Sequence, residues 1–177
     1  GEQDYWFAIF SFAPVGYVGD DDRDEIDADG LMESMKEGSR LANEARQERG
    51  WEVLNLEGWH QRPFYDMTTN NLTWSTKLSS KSGRSINHSV RLLGRGGFMS
   101  VQLVASPESL SRATTEFNNT LRGYSYKQGH RYAEFQKGDK LAGYGLAGLI
   151  GAGAAGVALE TGLVQKFSEL IVFGGVP

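Results

Sequence analysis

Cysteine is absent from the 177-residue chain. Disulfides, thiolate metal sites and a cysteine nucleophile are therefore excluded, and a thiol-free chain suits periplasm and cytosol equally. An excess of basic residues is missing too: net charge is −4, so there is no electrostatic footprint for nucleic acid and no polybasic patch for a membrane surface. No signal peptide stands at Gly1. No G-x-S-x-G nucleophile elbow occurs. His60, His88 and His130 are scattered rather than set at metal-ligand spacing. Nothing in the residues calls for a cofactor or a metal, and no catalytic residue can be named.

What is present is the composition of an ordinary globular protein, 40% hydrophobic and 23% charged. The length suits one domain with a short appendage and can bury a sizeable core. The run "YWFAIFSF" (Tyr5–Phe12) is rich in aromatic and β-branched residues on both faces, which predicts a buried strand. It begins so close to Gly1 that a processed or omitted segment is expected ahead of it. Asp24–Arg49 predicts a helix, with Ile26, Leu31, Met35, Leu41, Ala42 and Ala45 as its apolar stripe, acids at its start and Gly50 as its stop. Gly38 inside it predicts a local irregularity.

Strands are expected at Trp51–Trp59, Asn71–Leu78, Arg84–Gly94 and Gly97–Ser106. Leu72, Trp74, Thr76 and Leu78 alternate with polar residues and give one buried face. "SSKSG" and "GRGG" are the turns of an antiparallel meander. Ser106, Pro107 and Glu108 open a further helix, whose inner stripe is Leu110, Ala113, Phe117 and Leu121. A last extended segment, "YSYKQGHRYAEF", is expected around a turn at Gly129, and "FQKGDK" is the best domain boundary. The fold class is thus α+β: an antiparallel meander packed with two helices over residues 1–136, followed at 137–177 by a C-terminal Gly/Ala-rich helix.

Five features invite functional readings. The acid-rich stretch "GYVGDDDRDEIDADG" resembles a calcium loop until Gly30 is set at the turn position. Glu25, Asp27 and Asp29 then take ligand positions, but Lys36 falls where a bidentate carboxylate must sit. The stretch reads better as a helix start with a solvated acidic turn, leaving Asp20, Asp21 and Asp22 as a cation site of another geometry in reserve. "GAGAAG" (Gly151–Gly156) matches a dinucleotide fingerprint in letters, yet too little chain follows for the second strand and its ribose-binding acid.

Leu141–Leu159 carries no charge and consists mostly of Gly and Ala. It is long enough to span a bilayer but weakly hydrophobic. Small residues four apart (Gly143, Ala147, Gly151, Ala155) give it a flat face for close contact with another helix. Its expected partners are membrane lipid or membrane-protein helices through residues 141–159, or a homo- or hetero-oligomer; packing on the domain itself is the alternative. Arg91 and Arg95 are four apart and, with Arg131, form either an anion-binding patch or structural ion pairs with the acidic turn. Trp59, Pro63, Phe64 and Tyr65 form either a recognition loop or the cap of a core edge.

The ordered motifs "GYVGDDDRDEIDADGLMESM", "NEARQERGW", "LEGWHQRPFYD", "LTWSTKL", "INHSVRLLGRGG", "GHRYAEF" and "DKLAGYGLAGLIG" resemble the bacterial domain-of-unknown-function family 2167, described as predicted membrane-anchored proteins. The resemblance covers nearly the whole chain. It implies an exported protein with an N-terminal signal, a further β-rich segment ahead of this part and a hydrophobic C-terminal anchor. It brings no established catalytic residue or ligand. Its recurring polar positions match Asp20, Asp22, Asn43, Trp59, Tyr65, Trp74, Asn87, Arg91, Arg95, Arg131 and Tyr132. The leading expectation is a membrane-anchored, periplasm-facing binding or scaffolding module. An envelope enzyme of hydrolase type, using the Asp20–Asp22 acids with Arg91 or Arg95, is the second, and an assembly subunit of a bacterial membrane complex the third. Candidate ligand-binding residues are Asp20, Asp22, Trp59, Tyr65, Asn87, Arg91, Arg95 and Arg131.

Overall fold

In the computed structural model, which describes residues 5–151, the elements follow one another as β1 (Trp6–Ala13), α1 (Ala28–Glu48), β2 (Asn55–Asp66), β3 (Asn71–Ser80), β4 (Gly83–Gly94), β5 (Gly97–Ala105), α2 (Leu110–Arg122) and α3 (Leu146–Gly151), with single 3-10 turns at Arg23–Glu25 and Tyr132–Glu134. The strands make one antiparallel sheet in the order β1-β5-β4-β3-β2. The meander is as expected: Ser80 pairs with Gly83 across the first turn and Gly94 with Gly97 across the second. Only β1 joins out of sequence, crossing to the far side of β5.

Strand alternation divides the core in two. Leu72, Trp74, Leu93 and Phe98 face one way and pack with Leu146, Leu149 and Ile150 of α3; Leu31 and Met35 of α1 lie against this cluster. Val90, Leu92, Val101, Leu103 and Ala105 face the other way, beneath Ala113 and Phe117 of α2, with Leu110 and Leu121 at the margin. The α2 stripe is thus as predicted. Residues 137–151 supply part of the first cluster and so contribute to the core of the domain they follow.

Several expectations need correction. The aromatic run of β1 is not a buried strand: β1 is an edge, and Phe10 and Phe12 are 44% and 47% exposed. The second strand starts at Asn55 rather than Trp51 and continues through Pro63 to Asp66, so the Trp59–Tyr65 cluster lies in a strand, not a loop. Proline is tolerated there because β2 is the other edge, with register shifts between Leu56 and Gly58, between Trp59 and Gln61, and between Gln61 and Phe64. The long helix begins at Ala28, where the Asp27 carboxylate accepts the Asp29 and Gly30 N–H groups at 3.2 and 3.1 Å. It runs unbroken through Gly38. The Ser106 hydroxyl accepts the Ser109 N–H, as a cap would, although regular helix starts only at Leu110. The turn at Gly129 is as expected, but the residues around it form no strand: Arg131 makes a single bridge to Gly94, and Tyr132–Glu134 is a 3-10 turn. Of the helix expected over residues 137–177, Leu146–Gly151 is helical; residues 152–177, with the last part of the Gly/Ala run, lie outside the described residues.

Candidate functional site

Each polar residue marked by the sequence has a place, and most are engaged in holding one segment of the fold to another. Asp22 is the clearest case. Its two carboxylate oxygens accept the N–H groups of Leu146 and Ala147, each at 3.0 Å, so it caps the first turn of α3 from the far end of the sequence. A helix start leaves such N–H groups without intrahelical acceptors. Gly145 makes the approach feasible, since a Cβ there would stand 2.7 Å from either oxygen.

Trp59 donates its indole N–H to the Ala28 carbonyl at 3.0 Å, fastening β2 to the first turn of α1. Asn43 exchanges two hydrogen bonds with the Leu54 backbone, at 2.8 and 3.0 Å, tying the last half of α1 to the lead-in of β2. The Tyr65 hydroxyl accepts from the Asn70 amide at 3.1 Å. Burial pushes the Tyr65 phenol up to about 12, Asn70 opposes this, and the neighbouring Asp20 carboxylate adds to the rise. Tyr132 stacks on Tyr17 with ring centroids 4.5 Å apart and donates to the Val18 carbonyl at 2.9 Å. Asp20, Tyr65, Tyr132 and Tyr17 therefore converge, as a phenol-rich cluster with one acid.

Arg95 and Arg131 belong to a different place. Arg95 stands in the β4–β5 turn and grips Asp139 with two nitrogens, at 2.7 and 2.8 Å. This fork, and then the Gln136 N–H, holds the Asp139 carboxyl down at about 2. Arg131 bridges to Gly94 through its backbone, and its N–H goes to Glu134 at 2.9 Å. Among the described residues neither arginine makes an ion pair with the Asp20–Asp22 turn; Arg95 pairs with Asp139 instead.

Arg91 is set apart from both. Cross-strand pairing puts it beside Leu72 on β3 and Ser100 on β5. Its guanidinium lies 4.8 Å from the Trp74 ring centroid and 5.8 Å from that of Phe98. The residue is 5% exposed, its Nε has no hydrogen-bond partner, and burial pulls its pKa down to about 10, with Tyr144 opposing. No carboxylate pairs with it among the described residues. Asn87, four residues earlier on the same face, has a buried Oδ1 with no partner. Ser89 lies between them on that face, opposite Gln102. The chemical capacity of this strip is to bind an anion or a polar group from the sheet side; the cost of a buried unpaired cation gives such a group a reason to bind.

Some contributors gave little sequence signal. Tyr126 reaches between β4 and β5, accepting the Met99 N–H at 2.9 Å and donating to the Leu92 carbonyl at 2.8 Å. Gly94 leaves it room: a Cβ there would stand 2.6 Å from the ring. Ser75 and His88 meet at 2.9 Å beneath Phe117, and burial lowers the His88 pKa. Two shallow grooves, of about 510 and 520 Å3, lie at the sheet ends. One is lined by Glu57, Ser79, Arg84 and Glu108 among others, the second by Phe12, Tyr124, Tyr126, Lys127 and His130 among others. None of the sequence candidates lines either groove. Among the described residues no group of His, Asp and Glu side chains is arranged to hold a metal ion, and no helix is long and apolar enough to cross a membrane.

Comparison with curated proteins and with solved structures gives no match. A family model described as a protein of unknown function (DUF2167) matches residues 1–175. With the match running over almost the entire sequence, the chain belongs to the DUF2167 family.

Proposed function

We propose that the protein is a non-catalytic binding or scaffolding module, held at a membrane by the segment that begins at Leu141, with its folded body facing the periplasm. The observation that carries this is the seating of α3. The Gly/Ala-rich run starts inside the core: Leu146, Leu149 and Ile150 are fully buried, and Asp22 clamps their helix at its first turn. The run thus begins from the packed core rather than from an exposed loop, an attachment that suits a scaffold, and small residues suit close helix contact in lipid or protein. The engagement of Asp22, Trp59, Tyr65 and Arg95 in structural contacts supports binding over catalysis.

The test is truncation at two points. Ending the chain after Gly151 keeps the described core, and that protein should stay folded and leave the membrane fraction. Ending it after Lys140 removes Leu146, Leu149 and Ile150 and should cost the fold itself. If the chain ending at Gly151 still sediments with membranes, attachment through this segment is wrong. A stoichiometric partner in a mild-detergent pull-down of the full chain would move the reading toward an assembly subunit.

The orphaned Arg91 Nε and Asn87 Oδ1 favour a second reading, in which the polar strip of the sheet holds an anionic ligand. Thermal shift with inorganic phosphate and with citrate, in the wild type and in Arg91→Met, tests it. A rise with either anion that vanishes in the variant supports an anion site; equal behaviour of the two proteins rejects it.

A further inference from the structure

The two edges of the sheet are built differently. On β2, Glu57, Arg62 and Asp66 bring charge, Pro63 removes a donor, and three register shifts break the line. These are the devices by which natural sheets block edge-to-edge pairing. On β1 there are none. "WFAIFSFA" has no charge, no proline and an unbroken register with β5 from Trp6 to Ala13.

The hydrogen-bonding parity of β1 follows from one bond. The Ser106 N–H goes to the Tyr5 carbonyl, so Tyr5 and every second residue after it bond to β5. In an antiparallel ladder the residues between point their N–H and C=O the other way. Trp6, Ala8, Phe10 and Phe12 thus offer backbone donors and acceptors at the open edge, and no described strand meets them. Their side chains share the α2 side of the sheet, where Phe10 and Phe12 are exposed.

We propose that β1 is a self-association edge: two copies of this chain pair their β1 strands antiparallel about a two-fold axis at Ile9, joining two sheets into one. An antiparallel pair of identical strands satisfies two-fold symmetry by construction. Only with the axis at Ile9 do all four open residues find open partners. Trp6 then faces Phe12 of the second copy, and Ala8 faces Phe10. The large ring thus meets the small methyl at the centre, and the aromatics stack at the ends.

The natural chain has no cysteine, so single cysteines report on this contact without background. In this register Ile9 opposes Ile9 as a non-hydrogen-bonded pair with Cα atoms about 4.5 Å apart, inside the range a disulfide bridges. Ser11 opposes Phe7, so two copies of Ser11 stand about 13 Å apart. Full-length Ile9→Cys in mild detergent should form a covalent dimer on air oxidation, and Ser11→Cys should remain monomeric. Sedimentation equilibrium of the wild type should show a concentration-dependent dimer. Ala8→Pro should lose it without loss of circular dichroism, because the Ala8 N–H is not used by β5; Phe10→Lys should lose it by charge. Equal cross-linking at positions 9 and 11 overturns the register. A wild type that stays monomeric at every concentration overturns the proposal, as does a dimer unchanged in both edge variants. A monomer whose Ala8 and Phe10 amides resist hydrogen exchange also overturns it, by placing another segment on the edge.

Discussion

Replacing Asp22 by Ala should weaken the fold by about 2–3 kcal/mol. The carboxylate takes the N–H groups of Leu146 and Ala147 at 3.0 Å each, in partly buried surroundings. A hydrogen bond to a charged group contributes roughly 1.5–3 kcal/mol, and loss of a helix cap roughly 0.5–2 kcal/mol. The two bonds share one carboxylate, so their full sum is too high. In a chain of this size the loss corresponds to a fall of about 5–10 °C in melting temperature. Asp22→Asn keeps one acceptor and should lose about half as much. Gly145→Ala should also destabilise, because its methyl would stand 2.7 Å from the Asp22 oxygens. That penalty depends on the carboxylate being there. The double variant should therefore be more stable than the two single losses predict, with a coupling of about 1–2 kcal/mol. Urea unfolding of the four proteins closes the cycle. Additivity within about 0.5 kcal/mol, or an Asp22→Ala loss below that size, would refute the view that this carboxylate seats α3.

Acid should act through Asp139. Its carboxyl is held at about 2 by Arg95, against roughly 3.9 in an unfolded chain. A lowered folded value gives stability that is present above about pH 4 and is lost as pH falls toward 2. Asp139→Asn should flatten the stability curve in that window; an equally steep fall in the variant, by urea midpoints at several pH values, would assign it to other carboxylates. Gly38→Ala should stabilise α1 by about 0.5–1 kcal/mol, since a Cβ there meets nothing within 4 Å; a loss on thermal melting would mean that α1 is covered at this point. Arg91→Met should leave folding stability unchanged or raise it by about 1–4 kcal/mol, because the guanidinium has no carboxylate partner among the described residues. Arg91→Lys should lower it, since the ammonium cannot spread over Trp74 and Phe98 as the planar group does. The reverse order in urea unfolding would mean that Arg91 is satisfied by a strong partner.

Much of the sheet was legible because its signals are local. The alternation of Leu72, Trp74 and Thr76 sets a face, and the hairpin turns set the register of three strands. The edge status of β1 was not legible: an aromatic run looks buried until the crossover to β5 is known. The length of β2 was hidden by Pro63, which is compatible with a strand only at an edge. Arg91 was grouped with Arg95 and Arg131 because four residues in a strand share a face, but helices lie over both faces of this sheet and Arg91 alone is buried beneath one. Asp22 showed itself only as one acid among several, since its acceptors serve backbone groups far along the chain.

The pairing of β1 with β5 and the clamp of Asp22 on α3 also set the order in which a growing chain can complete its structure. The hairpins β2–β3, β3–β4 and β4–β5 close between near neighbours, and can form as soon as each strand has left the ribosome. Strand β1 cannot: its partner stretches from Gly97 to Ala105, and Asp22, which follows it, waits until Leu146 for the groups it caps. Translation at roughly 5–20 residues per second leaves "WFAIFSFA" without β5 for about 5–20 s. The sheet therefore closes late, with an early strand docking last onto a meander already formed.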